Sequence, residues 1–166
     1  VYHRAKHELA CARPADLSPL TLPIMPTPEH GSLPSGHATE AYLVAYLLPA
    51  LMGQDSSSSS ACFFQYLKDQ AARIADNRVI AGVHFPVDSQ AGRTLGITLA
   101  HYLIARGTRG GNKVWSTTAE WKGRGVLRRK FDREQKIDPI PGGPILIEEE
   151  PLFSWLWDRA RREWLK

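Results

Sequence analysis

The sequence has few of the features that mark several large protein classes. It holds only two cysteines, Cys11 and Cys62, in 166 residues, which excludes a disulfide-rich scaffold and a four-cysteine zinc site. Its longest apolar run covers the 12 residues of 41–52, whereas a membrane-spanning helix needs about 20. Charged residues make up 23% and apolar residues 43%, which favours neither disorder nor a coiled coil. A single globular domain with a buried core is therefore expected.

The charge of the chain is small and unevenly placed. The net charge of +4 favours anionic partners only weakly. Residues 108–137 hold nine Lys or Arg but three Asp or Glu. Such a run usually extends into solvent, and no nucleic-acid-binding motif accompanies it. The region is therefore predicted to be a solvated or anion-steering loop, and a nucleic-acid partner is disfavoured.

Helical patterns dominate the rest of the chain, and no alternating strand pattern competes with them. They predict an all-α fold, a helix bundle, with helices over 2–12, 37–51, 61–80, 86–106 and 151–165. A serine-rich linker is expected at 55–60. The predicted organisation is one domain: a helical oxyanion-binding catalytic core at 1–107, a basic Gly/Pro-rich loop region at 108–150 and a C-terminal helix at 151–166.

Three short clusters carry residue types suited to chemistry. In the first, Lys6 precedes Arg13-Pro14 by seven residues, nearly two helical turns, so both cations would project from one helix face. Two aligned cations can hold one oxyanion, Lys as a point charge and Arg as a fork. Taken alone, the pair is more typical of surface charges, because exposed cations at this spacing are common.

The second cluster enters the buried helix over 37–51. Ser35 offers a hydroxyl and Gly36 allows close approach of the backbone, at a helix start where anions bind readily. His37 would then lie beside the anion. The structural alternative is an N-cap Ser, a turn Gly and a hydrogen-bonded core His.

The third cluster contains Arg78, His84 and Asp88. Arg78 continues an apolar helical face, where a lone cation is costly without an anion. Asp88 lies four residues after His84, in the first turn of the next helix, where its carboxylate can accept from one imidazole nitrogen. The other nitrogen is then a nucleophile or a ligand. A local cap and salt bridge is the structural alternative.

Together the three clusters resemble the tripartite signature of the type 2 phosphatidic acid phosphatase and vanadium haloperoxidase superfamily. Their order and internal spacings match it from Lys6 to Asp88, although Asn77 stands where the family usually has Ser before the Arg. The resemblance implies a helix bundle of the acid phosphatase/vanadium haloperoxidase type. It also implies an oxyanion site formed by Lys6, Arg13, Ser35, Gly36 and Arg78.

The resemblance further implies the catalytic roles. His84 would attack phosphorus, or bind vanadium in a peroxidase, and Asp88 would orient it. His37 would be the acid–base residue. His30 falls where bromide- and iodide-oxidising members carry a His, and the run 36–39 is similar to that of haloperoxidases.

These features favour a vanadate-dependent haloperoxidase, which oxidises a halide with hydrogen peroxide and holds vanadate as its cofactor. The first alternative is a soluble phosphatase without cofactor that hydrolyses phosphomonoesters through a phosphohistidine. The second is a non-catalytic phosphate-binding protein. The structural alternative for His30 is an exposed loop residue.

The expected partner is a small-molecule substrate, either a phosphate ester or a halide with hydrogen peroxide. Because the signature begins at residue 6, whereas relatives have helices before it, a missing N-terminal segment or a homo-oligomer is expected to complete the bundle. The first residue is Val1, and neither a signal peptide nor a transmembrane segment is visible. We expect a soluble chain, and the sequence does not indicate its cellular compartment.

Overall fold

The computed structural model describes residues 1–53, 60–108, 113–118, 138–148 and 150–164. Within these residues the chain forms six helices and two strands. In order they are α1 (Tyr2–Leu9), α2 (Pro14–Leu17), α3 (Gly36–Leu51), α4 (Ser60–Ile80), α5 (Pro86–Gly107), β1 (Lys113–Thr118), β2 (Asp138–Leu146) and α6 (Pro151–Trp164). The predicted linker at 55–60 lies outside the described residues except for Ser60, which begins α4.

The first helix is shorter than the predicted 2–12, and this changes how its two cations come together. It ends at Leu9, and Ala10 follows in the left-handed region with φ 44°. Arg13 is extended, with φ −87° and ψ 163°, as expected for a residue before a proline. The prediction that Lys6 and Arg13 share one helix face is therefore wrong. Folding of the chain, and not helical periodicity, brings them to the same site.

The core of the bundle lies where α3 packs against α4 and α5. Two glycines of α5 permit this approach: a Cβ on Gly92 would lie 2.5 Å from the carbonyl oxygen of Ser35, and one on Gly96 would collide with the carbonyl oxygen of Thr39. Any larger residue at either position would force α3 and α5 apart. The buried hydrophobic cluster consists of Ala38, Tyr42, Ala45, Ala71, Ala72, Ala75 and Ile97.

Part of the predicted loop region 108–150 is ordered as a two-stranded sheet. β1 pairs antiparallel with β2, with Lys113 opposite Leu146 and Thr118 opposite Asp138. The sequence of β2 contains three prolines and two glycines, which obscure a strand pattern because both residue types disfavour strand interiors. Of the nine cations in 108–137, only Lys113 in β1 is among the described residues. The prediction that this basic run is a solvated loop therefore stays a prediction for the other eight.

The C-terminal helix α6 packs against the end of α5. Trp157 is buried, and its ring lies 2.5 Å from the position a Cβ would take on Gly107. The Ser154 hydroxyl donates to the Arg106 carbonyl at 3.2 Å. The predicted C-terminal helix is thus confirmed, and it caps the same bundle.

The all-α fold class is confirmed, with the short β1–β2 ribbon as an addition. None of the described helices is both long enough and apolar enough to cross a membrane. The segment after α2 leaves large apolar side chains in solvent: Leu20 is 90% and Leu22 84% exposed. The expectation that a further N-terminal segment or a second copy of the chain completes the bundle stays a prediction.

Candidate functional site

A buried histidine–carboxylate pair lies at the start of α5. Asp88 occupies the third position of the helix, and its Oδ2 accepts from the Phe85 backbone N–H at 2.9 Å. The same oxygen lies 3.0 Å from Nδ1 of His84, and both side chains are almost fully buried. Because an ionised carboxylate only accepts, the proton lies on Nδ1 and the lone pair on Nε2. The His84–Asp88 contact expected from their spacing is therefore present.

The surroundings of His84 keep its ring neutral. Burial lowers its pKa below the ordinary value, the hydrogen bond to Asp88 opposes this, and the charges of Lys6 and Arg13 lower it further. A neutral imidazole with a free Nε2 can attack an electrophile or bind a metal-like centre.

The start of α3 is attached directly to the start of α5. The Ser35 backbone N–H donates to the Asp88 carbonyl at 2.9 Å. Ser35 is also the N-cap of α3, since its Oγ accepts from the Ala38 N–H at 3.4 Å. This is the structural alternative raised for Ser35, but it leaves the hydroxyl proton able to donate to an anion.

The packing of α1 leaves little room for a side chain at Gly36. A Cβ at Gly36 would lie 2.9 Å from the ring of Tyr2. The Tyr2 hydroxyl in turn donates to Glu40 Oε1 at 2.6 Å. These contacts hold α1, and with it Lys6, against the first turns of α3.

Two cations are buried beside this junction and solvated by backbone carbonyls. Lys6 is 2% exposed and its Nζ donates to the carbonyls of Gly31 and Ser32 at 2.8 and 2.9 Å. Arg13 is 3% exposed and donates to the Val83 carbonyl at 2.8 Å, among other carbonyls. Carbonyl dipoles solvate a cation but do not neutralise it. Burial, followed by the charge of Arg13, therefore lowers the pKa of Lys6 to about 8.

Arg78 on α4 supplies a third cation with spare donors. Among the described residues its buried Nε has no hydrogen-bond partner, and its Nη1 reaches only Met25 Sδ at 3.3 Å. Burial is the largest cause that lowers the pKa of Arg13 and of His37, and the charge of Arg78 lowers both further. A buried guanidinium donor without an acceptor is costly, and an oxyanion would satisfy it.

His37 lies at the rim of this group of cations, in the first turn of α3. Its ring is exposed and has no hydrogen-bond partner among the described residues. Partial desolvation is nevertheless the largest cause that lowers its pKa, followed by the charge of Arg78. Glu40, one turn further along α3, opposes the shift. The placement of His37 beside an anion stays a prediction, and its ring is not enclosed.

His30 lies against Arg13 on the outside of the site. Its Nδ1 is 3.2 Å from Nη2 of Arg13, and its ring packs edge-on against His3 with centroids 5.3 Å apart. The side chain is exposed, as its structural alternative stated, yet it contacts one of the buried cations.

An apolar groove of about 360 Å³ opens between α3 and α4 beside His37. Sequence reasoning missed this groove, and it also missed Tyr2 and Glu40. The spacing of Glu40 three residues after His37 could have indicated that both share one helix face. The groove is lined by His37, Glu40, Ala41, Val44, Ala45, Leu67, Gln70, Ala71 and Ile74.

The three separated clusters thus meet at the helix starts of α3 and α5. Lys6, Arg13 and Arg78 form a positively charged cradle, with the Nε2 of His84 as a potential nucleophile or ligand and His37 at the rim. Such an arrangement can hold a tetrahedral oxyanion and stabilise charge that develops on it.

A protein-family model matches more than half of this chain. Residues 1–109 match the family model described as the PAP2 superfamily. No curated protein gives a significant match to the chain. Members of the superfamily are in general enzymes, phosphatases and haloperoxidases, and membership supports a function of this phosphoryl-transfer type. The match covers all three clusters and more than half of the 166 residues, and the chain therefore belongs to the PAP2 superfamily, that of the type 2 phosphatidic acid phosphatases and haloperoxidases.

Proposed function

We propose that this chain hydrolyses phosphomonoesters by transferring the phosphoryl group to His84 and then to water. The observation that carries the proposal is the buried Nε donor of Arg78, which lacks an acceptor in the part of the chain that the structure describes. It accompanies two buried cations, Lys6 and Arg13, and an oriented imidazole. A phosphate group would supply the missing acceptors and the missing negative charge.

In the first step, Nε2 of His84 attacks phosphorus and the bond to the ester oxygen breaks. Asp88 holds the Nδ1 proton and stabilises the positive charge that forms on the ring. Lys6, Arg13 and Arg78 neutralise the equatorial oxygens, where the charge is concentrated in the transition state. A protonated His37 donates its proton to the departing alkoxide.

In the second step, water attacks the phosphohistidine and the P–N bond breaks. His37, now neutral, accepts a proton from that water, and the electron pair of the broken bond returns to Nε2 of His84. Inorganic phosphate then leaves the cradle. The exposed position of His37 suits this role because both the leaving group and the water must reach it.

The haloperoxidase favoured by the sequence is the second candidate, and the contact of His30 with Arg13 supports it. Vanadate has the shape and charge of phosphate, so the uncompensated cations and the free acceptor site of His84 fit it equally well. Lys6, Arg13 and Arg78 would hold vanadate, with Nε2 of His84 as its ligand. When bound, vanadate would activate hydrogen peroxide for halide oxidation. The phosphatase is placed first because the groove beside His37 offers room for an organic leaving group.

The test is hydrolysis of an aryl phosphate combined with trapping of the intermediate. We expect turnover, inhibition by orthovanadate, and a mass gain of one phosphoryl group on His84 after quenching in alkali. His84→Ala should lose the label, whereas His101→Ala, which removes an exposed histidine far along α5, should keep it.

A parallel assay adds orthovanadate, hydrogen peroxide and bromide with a phenolic dye. Bromination without ester hydrolysis would overturn the phosphatase and favour the haloperoxidase. Tight phosphate binding without either activity would instead identify a non-catalytic phosphate-binding protein.

A further inference from the structure

The walls of the apolar groove continue directly into the oxyanion cradle. On α3, His37, Ala41 and Val44 follow one another at helical spacing along one face. On α4, Ile74 lines the groove and Arg78 lies one turn further on the same face. The groove therefore begins where the proposed leaving group would emerge from the cradle.

The lining of the groove is mainly aliphatic, and its polar members are His37, Glu40 and Gln70. Six of its nine residues are Ala, Val, Leu or Ile, and no Lys or Arg lines it. Its one carboxylate, Glu40, accepts a hydrogen bond from Tyr2. A second anionic group on a ligand would therefore meet an acid and no cation. Its volume of about 360 Å³ is near the lower end of small-molecule sites.

We propose that this groove binds the organic part of the phosphomonoester, and that this part is a single alkyl chain or a compact apolar ring. The inference rests on the proposed function and specifies its substrate class. Two-chain lipids exceed the groove. Sugars carry more hydroxyl groups than the three polar lining residues can serve, and nucleotides or bisphosphates would place a further charge near Glu40.

The length of the groove sets a limit on the useful chain length. From His37 to Val44 the helix advances seven residues, about 10 Å at 1.5 Å per residue. Each methylene buried within that length improves binding by up to about fourfold. Methylenes beyond it reach solvent and add nothing.

The experiment is calorimetric titration of the full chain with n-alkylphosphonates from methyl to dodecyl. Their C–P bond resists hydrolysis, so binding is measured whether or not the protein has turnover. We expect the Kd to fall two- to fourfold per methylene and then to level off. Inorganic phosphate provides the reference for the cradle alone.

Val44→Asp is the groove variant, because Val44 is 52% exposed and its replacement should not disturb folding. It should weaken octylphosphonate at least tenfold and leave inorganic phosphate within twofold. The matched control is Leu152→Asp, which adds the same charge at an exposed apolar position of α6 outside the groove. It should bind the whole series like the wild type.

A Kd that does not change with chain length would overturn the groove proposal, even if aryl phosphate is hydrolysed. Equal weakening of octylphosphonate by Val44→Asp and Leu152→Asp would overturn it as well. A steep series in a protein that hydrolyses no ester would support the groove and contradict the phosphatase, so the two failures are distinguishable.

Discussion

The two histidines of the site stand at the starts of two adjacent helices, yet their surroundings are opposite. His84, before α5, is 4% exposed and fixed by Asp88. His37, in the first turn of α3, is exposed and has no hydrogen-bond partner in the described part of the chain. One imidazole is held in a single orientation and tautomer, and the other can turn and exchange protons with solvent.

This difference assigns the two proposed roles. A nucleophile must meet phosphorus along one direction, so its ring must be oriented before substrate arrives. An acid–base group must serve two partners in turn, first the leaving group and then water, and a rim position lets both reach it. Substitutions at His84 and at His37 should therefore differ both in the size of the loss of kcat and in its dependence on the leaving group.

The largest effect is expected from His84→Ala. Removal of the nucleophile should lower kcat by at least about 10⁴-fold. The phosphate Kd should change by only a few-fold, because the three cations remain. Steady-state kinetics and calorimetry measure the two quantities. A variant that keeps a tenth of the wild-type kcat would contradict the role of His84 and the comparison built on it.

The second effect, from His37→Asn, should depend on the leaving group. With alkyl phosphates, whose alkoxide needs a proton, kcat should fall by about 10²- to 10⁴-fold. With nitrophenyl phosphate the first step needs no proton, so a burst of nitrophenolate should precede slow turnover as phosphohistidine accumulates. Stopped-flow absorbance measures the burst. An equal loss for both ester types, without a burst, would mean that His37 does not transfer the proton.

The sequence was sufficient for the parts of the site that depend on local spacing. The four-residue separation of His84 and Asp88 places a carboxylate in the first turn of α5 whatever the rest of the fold does. Likewise Ser35 is a strong N-cap residue, and it caps α3. These features are set within one or two helical turns.

What the sequence did not predict depends on contacts between distant segments. Lys6 and Arg13 meet because residues 28–32 fold over them, with the Ser32 N–H donating to the Cys11 carbonyl at 2.9 Å. The groove needs α3 and α4 side by side, and their separation is set by small residues such as Ala45 and Ala71. The residue spacing within one helix predicts neither the fold of residues 28–32 over the two cations nor the distance between α3 and α4.

A third prediction compares two cations of the cradle. Arg78→Gln should weaken phosphate binding by about 10- to 150-fold, as expected for the loss of a charged hydrogen bond. Its Tm should fall little, since within the described residues Nε has no partner to lose and Nη1 contacts only Met25 Sδ.

Arg13→Gln should weaken phosphate binding to a similar degree but also lower the Tm by several degrees. Arg13 donates to the carbonyls of Pro28, His30 and Val83, so its loss releases the segment that covers Lys6. Calorimetry and thermal denaturation of both variants measure the two effects. Equal Tm losses would show that Arg78 is as structural as Arg13.

The smallest expected effect is a pH dependence of anion binding that comes from Lys6. Because the pKa of Lys6 is lowered to about 8, the free protein loses this positive charge as the pH rises through 8. A bound anion favours the charged form and raises that pKa. The bound state therefore holds more protons than the free state above pH 8, and affinity falls as pH rises, by at most about tenfold per unit.

Sulfate is the suitable probe, since it is tetrahedral and does not titrate between pH 7 and 10. Its Kd at constant ionic strength should be level near pH 7 and rise above about pH 8. His84 does not contribute in this range, because its pKa lies below the ordinary histidine value. Lys6→Gln should bind sulfate more weakly and without the rise. The same slope in Lys6→Gln and wild type would assign the titration to another group and remove Lys6 from the cradle.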